Sequence, residues 1–174
     1  MQQKFDMINQ EFAKRRSRLL VAGKAQRPTS HGYWASSEPM HVFELFRRLD
    51  LQECRSFLDL GSGDGVVVAI ASLFTKAAGI EADPKLHKDA EDIRKKLGLE
   101  YALKNMDYLE EDLSQYDFIF INPDNYFHKL EKNIVGQFRG TLVIADNIFR
   151  PLTLSPEKQV SVRGIGYSVY NINQ

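Results

Sequence analysis

The sequence predicts an α/β fold: a mostly parallel sheet, helices on both faces and an antiparallel hairpin at the C-terminal end. Three observations carry this. From Ser56 onward, apolar runs of strand length alternate with segments of helical spacing, as strand–helix–strand units require. The first run, SFLDL at 56–60, leads into GSGDG, a glycine turn between two buried elements. The final stretch, QVSVRGIGYSVYNI at 159–172, holds two β-rich runs parted by Gly164, Ile165 and Gly166, which is a hairpin signal.

Length and composition fit that class. A chain of 174 residues is long enough for one domain with a real core and short for two. The reading is therefore a single domain over 1–174, with N-terminal helices and a loop over 1–55 and the binding core over 56–174. Basic and acidic residues balance at 23 each, so no global charge calls for nucleic acid or a membrane. The balance hides an asymmetry: residues 1–27 hold seven basic residues against Asp6 and Glu11. Cys54 is the single cysteine, which rules out an intrachain disulfide and a cysteine zinc cluster and suits a reducing cytoplasm. The N-terminus lacks a signal peptide's apolar core, and the longest apolar stretch, Val66 to Phe74, is far too short to span a bilayer.

Taken in order, Phe5, Ile8, Phe12 and Leu19 share one stripe of an amphipathic N-terminal helix. Residues 22–39 are rich in turn formers and read as a long loop. A second helix follows at about 38–49, with Ser37 as its N-cap and Pro39 in its first turn. Beyond SFLDL come a helix from Asp64, the strand AAGIE, a helix from Asp83, the strand LEYAL and the short segment YLEEDLSQ. The strand DFIFIN, a helix from Asp124 and the strand TLVIA complete the series. No convincing helix follows in DNIFRPLTLSPEK, 146–158.

A helix that must leave the sheet directly after Leu60 needs the conformational freedom of Gly61, Gly63 and Gly65. Such a turn exposes backbone N–H groups at the strand end, where open parallel sheets bind ligands. Asp64 is read as a helix cap in that turn. Glu81 closes the next strand, twenty residues after Gly61, where a carboxylate accepts from both hydroxyls of a ribose. Asp83, directly before Pro84, is read as the cap of its helix. In a dinucleotide-binding G-x-G-x-x-G the third glycine falls one residue later than Gly65 does. Asp64, moreover, opposes an anion and tolerates a cationic ligand.

With these residues in place, FLDLGSGDG resembles the first motif of the class I S-adenosylmethionine-dependent methyltransferases, an apolar strand with an acid followed by G-x-G-x-G. GIEADP is similar to their second motif, and NMDYLEEDLSQYDFIFINPD resembles their later ones. The resemblance implies a Rossmann-like seven-stranded sheet and S-adenosyl-L-methionine as cofactor. It implies Asp59, Gly61, Ser62 and Gly63 beside the methionine portion, Glu81 on the ribose, Met106 flanking the adenine and Asp107 near its amine. Asp117 is either a further motif acid or an edge charge that stops its strand.

INPDNYF, 121–127, ends the fourth strand, the side of the acceptor in this family. Asn122 and Pro123 match a motif that holds planar amines, while Asp124 replaces its second proline and Tyr126 arrives one place late. An Asn-Pro-Asp strand stop is the competing reading. Tyr33 and Trp34 are candidate walls of an acceptor channel or packing over the sheet. In size and in GYWASSEP the chain is similar to small archaeal-type protein lysine methyltransferases. The expectation is N-methylation of a protein lysine or another amine. The alternatives are a non-catalytic cofactor-binding partner subunit, an RNA or DNA methyltransferase and an NAD-binding oxidoreductase. His31, His41, His87 and His128 lack metal-ligand spacing, and no metal is expected.

Overall fold

The computed structural model describes residues 1–29, 32–125, 127–145 and 148–173. Helix α1, Gln2–Val21, buries Phe5, Ile8 and Phe12 on one face, and it packs on α2, Pro39–Arg48, and on α3, Val66–Ala71. The ring of Phe5 stacks on that of Phe43 with centroids 4.1 Å apart. The predicted start of α2 shifts by one residue: Glu38 occupies the N-cap and Pro39 the first helical position, where a missing N–H costs nothing.

The expected loop over 22–39 instead contains a hairpin. Strand β1, Gln26–Thr29, runs antiparallel to β2, Gly32–Ala35, with Gln26 opposite Ala35 and Thr29 opposite Gly32. Its composition, with Pro28 and a glycine, hid a strand pair whose side chains alternate: Trp34 is buried and its neighbours Tyr33 and Ala35 are exposed. His31 lies outside the described residues.

The main sheet has seven strands in the order β5-β4-β3-β6-β7-β9-β8. β3 (Ser56–Leu60), β4 (Lys76–Ile80), β5 (Ala102–Lys104), β6 (Phe118–Ile121) and β7 (Gly140–Ala145) pair in parallel. β9 (Ile165–Ile172) runs antiparallel to both β7 and β8 (Lys158–Val162). The turn between the last two strands is Arg163-Gly164, with φ of 50° and 85°. Two successive left-handed residues make the tight turn that matches strand twist, so Ile165 and Gly166 belong to the strand rather than to the connection.

Strand alternation sorts the core into two layers. In β6, Phe118 and Phe120 face the layer that holds α1, α2 and α3, whereas Ile119 and Ile121 face the opposite layer. Phe46 of α2 meets Phe57, Phe118 and Phe120 edge-on at 5.2, 6.2 and 6.2 Å, a favoured arrangement for aromatic quadrupoles.

Two predicted helix starts move. α3 begins at Val66 rather than Asp64, because Gly61, Gly63 and Gly65 hold φ of 75°, 54° and 84°, values that a right-handed helix excludes. α5, His128–Gln137, begins four residues after Asp124 with Phe127 at its N-cap. α4, Pro84–Leu97, starts where expected, and the Asp83 carboxylate accepts from the amides of Lys85 and Leu86, both at 2.9 Å. Residues 148–157 form no helix. Their course is fixed by the buried carboxylate of Glu131 on α5, which accepts from the amides of Leu152, Thr153 and Leu154 and from the Thr153 hydroxyl.

No helix among the described residues is long and apolar enough to cross a membrane. The chain leaves β3 for β4 and β5 on one side, then returns to β6 on the other. Ligands of open α/β sheets bind where the strand order reverses in this way.

Candidate functional site

At that reversal, the carboxyl ends of β3, β4 and β6 enclose a crevice. The glycine turn forms its floor, but its amides are not open as the sequence suggested. Those of Gly61 and Ser62 both donate to the Ile80 carbonyl, at 2.9 and 2.8 Å, and that of Gly65 donates to the Ser62 carbonyl at 2.8 Å. The amide of Gly63 donates to Oε2 of Glu81 at 2.8 Å. A turn whose N–H groups are already committed offers a phosphate little. What it offers is bare peptide: a side-chain carbon on Gly61 would meet nothing within 4 Å.

Three carboxylates surround this floor. Asp59, at the middle of the sheet between Gly79 and Phe120, is 2% exposed, and its Oδ2 has no hydrogen-bond partner among the described residues. Burial pushes its carboxyl well above the ordinary range, and the charges of Glu81 and Asp64 push the same way. The Ser62 hydroxyl beside it is likewise buried and without a partner among the described residues. Both line a cavity of about 60 Å³.

Asp64 departs from both readings made of it. It neither caps from the N-cap position nor waits for a cation, since Arg15 Nε reaches its Oδ2 at 3.3 Å and the Ser36 hydroxyl donates to the same oxygen at 3.0 Å. Arg15 also donates to Asp89 at 2.7 Å. Burial raises the Asp64 carboxyl, and Arg15 and Ser36 oppose that rise. The basic N-terminal helix is thus tied to the glycine turn.

Glu81 has structural work that its position at a strand end did not reveal. Besides holding Gly63, it accepts from the Asp83 amide through Oε1 at 2.8 Å. Burial raises its carboxyl, while those two amides pull it down. Each oxygen keeps a second lone pair for a further donor. Asn105, which the sequence reading passed over, donates to the carbonyls of Glu81 and Ala82 at 2.7 and 3.1 Å and so fixes this segment.

A second cavity of about 90 Å³ lies on the Glu81 side, with Tyr108, Asn122, Pro123 and Asp124 in its wall. Asn122 lines both cavities. The Asp124 carboxylate accepts from the Tyr33 amide at 2.6 Å, which brings β2 over the crevice. There Trp34 is 8% exposed and Tyr33 53%. Tyr126 lies outside the described residues.

The later acids separate. Asp107 caps a short 3₁₀ turn, accepting from Leu109 at 2.9 Å, and lines a neighbouring cavity of about 350 Å³ with Ala82 and Tyr108. Met106 packs against the Leu58 layer of the core rather than lining the crevice. Tyr108, directly after Asp107, is the aromatic shared by the two cavities. Asp117 stands just before β6, at the end of the sheet away from the crevice, paired with Arg55 at 3.0 Å; of its two readings the charge that stops the strand is the one observed. Among the described residues no group of three or more His, Cys, Asp or Glu is placed to hold a metal ion.

No family model matches the sequence. An RNA methyltransferase from Salinibacter ruber, in complex with S-adenosyl-L-homocysteine, superposes with a TM-score of 0.68 over 81% of this chain and 95% of that one, at 24% identity. The chain has the methyltransferase fold. The putative methyltransferase yhhF from Escherichia coli gives 0.64 over 80% and 89% at 14% identity. The mitomycin 7-O-methyltransferase MmcR gives 0.64 over 77% of this chain and 53% of that one at 13% identity. The chain thus spans about half the length of the mitomycin enzyme.

Proposed function

We propose that the protein is an S-adenosyl-L-methionine-dependent methyltransferase that methylates nitrogen on a protein lysine or another amine. The observation that carries the reading is Asp59: a carboxyl group 2% exposed that lines a cavity floored by bare glycine and has one oxygen without a partner among the described residues. Buried carboxylates normally carry a partner, and a cationic ligand group supplies one. The fit is chemical as well as spatial. Amides committed to Ile80 and Glu81 disfavour a pyrophosphate, and the remaining lone pairs of Glu81 suit sugar hydroxyls.

In this reading Asp59 and Ser62 hold the charged aminoacyl end, Gly61 and Gly63 give backbone contact, and Glu81 takes the ribose. Tyr108 and Asp107 bound the base, with Met106 behind them in the core. The cofactor supplies an electrophilic methyl on a sulfonium. Asn122 and Pro123 orient the acceptor lone pair, and the apolar walls exclude water. Positioning of this kind contributes about 7–11 kcal/mol to such a transfer.

A second reading, with RNA as the acceptor, is favoured by exposed Lys14 and Arg18 on α1 and Lys24 just beyond it and by the RNA methyltransferase of like fold. Incubation with tritiated S-adenosyl-L-methionine and cell extract, split between protease and ribonuclease treatment, tests both. Label lost to protease supports a protein acceptor and label lost to ribonuclease an RNA acceptor. Absence of label in every fraction contradicts catalysis and leaves the partner-subunit alternative.

A further inference from the structure

The two cavities on either side of the glycine turn share four lining residues: Tyr33, Trp34, Gly61 and Asn122. Trp34 forms part of the wall common to both. Its indole lies so close to Gly63 that a side-chain carbon there would be 2.5 Å from Nε1 and 2.7 Å from Cδ1. The two spaces measure about 90 and 60 Å³, each well below the roughly 300 Å³ of a small-molecule site. Asp59 and Ser62 face one space, and Glu81 faces the other.

The strand that carries the indole is held at two points. The Asp124 carboxylate accepts from the Tyr33 amide at 2.6 Å, an approach that Gly32 permits because any side chain there would overlap that carboxylate. At the base, Ser36 donates to Asp64 at 3.0 Å, so the strand end is anchored to the glycine turn itself. On the other side Gly23, with φ of 66° and open space around it, joins α1 to β1. Strand β2 is therefore tied to the glycine turn at Ser36 and latched at Asp124, while the amides of Gly23 and Lys24 close α1 ahead of the hairpin.

We infer that strand β2 gates the cofactor site, with Trp34 as a plug seated on Gly63 and Asp124 as its latch. The inference rests on the cofactor reading above. A ligand with a sugar at Glu81 and a cation at Asp59 crosses the line that the indole occupies, so the plug withdraws before the ligand seats. Apparent affinity then falls by the fraction of chains in which the plug is withdrawn.

Trp34 is the only tryptophan in the chain, and it reports on its own displacement. Saturation of the full chain with S-adenosyl-L-homocysteine is expected to raise acrylamide quenching of its fluorescence severalfold. Trp34→Ala, checked for folding by circular dichroism, is expected to bind the same ligand about tenfold more tightly in calorimetry. Should that variant fail to fold, Asp124→Ala serves, because its Trp34 is expected to quench more readily than wild type with no ligand added. Unchanged quenching on ligand saturation, binding by Trp34→Ala that is equal or weaker, or quenching of Asp124→Ala equal to wild type overturns the gate alone. Failure of wild type and Trp34→Ala alike to bind overturns the cofactor reading and the gate with it.

Discussion

Glu81 and Gly63 are joined by a hydrogen bond of 2.8 Å from the glycine amide to the carboxylate, so the group proposed to meet the ribose also fixes the turn beneath it. Glu81→Ala removes the acceptor for the amides of both Gly63 and Asp83. It is expected to weaken S-adenosyl-L-homocysteine binding by about 1.5–3 kcal/mol, the range for charged hydrogen bonds. Glu81→Gln, which keeps one acceptor oxygen, falls between. Calorimetry on the two variants checks the order; equal affinity in all three chains removes Glu81 from the site.

Asp59 makes stability depend on pH in a definite direction. Its folded carboxyl lies above the unfolded value because of burial, then Glu81 and Asp64. The folded state therefore binds more protons, and stability present below the unfolded value is lost as pH rises through the folded one. Asp59→Asn removes that loss. The variant is expected to melt higher than wild type at neutral pH, with the gap closing toward acid. It is also expected to bind the cofactor more weakly. Melting curves across pH 4–8, together with calorimetry, check both signs.

Asn122 lines both halves of the crevice without belonging to the turn. Asn122→Ala is expected to slow methyl transfer about 100-fold, the scale of a small misplacement of reacting atoms, and to weaken S-adenosyl-L-homocysteine binding far less than that. A wild-type rate in the variant ends its acceptor-orienting role.

Glu131 tests the structural side. Four donors from residues 152–154 converge on its buried carboxylate. Burial raises this carboxyl, but the amides of Leu152, Thr153 and Leu154 and the Thr153 hydroxyl outweigh it, and the net shift is downward. Its stabilisation is present above the unfolded value and is lost as pH falls through the folded one. Glu131→Ala is expected to cost about 2–4 kcal/mol in urea denaturation, with wild type and variant converging in acid.

The sheet was legible because its strands carry the period and length of buried β structure: FIFI splits cleanly between two layers, and SFLDL ends at its glycine turn. Helix starts were legible only where a cap acts locally. Asp83 before Pro84 is such a case, whereas Asp124 has the same look but spends its carboxylate on Tyr33, 91 residues away in sequence. The hairpin over 26–35 was hidden for the same reason. Its strands are short and rich in turn formers, and what fixes them is a distant acid and the floor of the crevice. Within the site, the glycine turn was readable from its place between two buried elements, and Asp59 from the resemblance of FLDLGSGDG to a known motif. The committed amides, the Arg15–Asp64 pair and the dual position of Tyr108 arise from tertiary contacts that no local pattern encodes.

The central claim is that one ligand with a positive charge and a sugar spans Asp59 and Glu81. Calorimetric titration of the full chain with S-adenosyl-L-methionine, with NAD run in parallel, tests it most directly. The account predicts saturable one-to-one uptake of S-adenosyl-L-methionine, competed by S-adenosyl-L-homocysteine, and no uptake of NAD. Heat from NAD alone, or from neither compound, would contradict it.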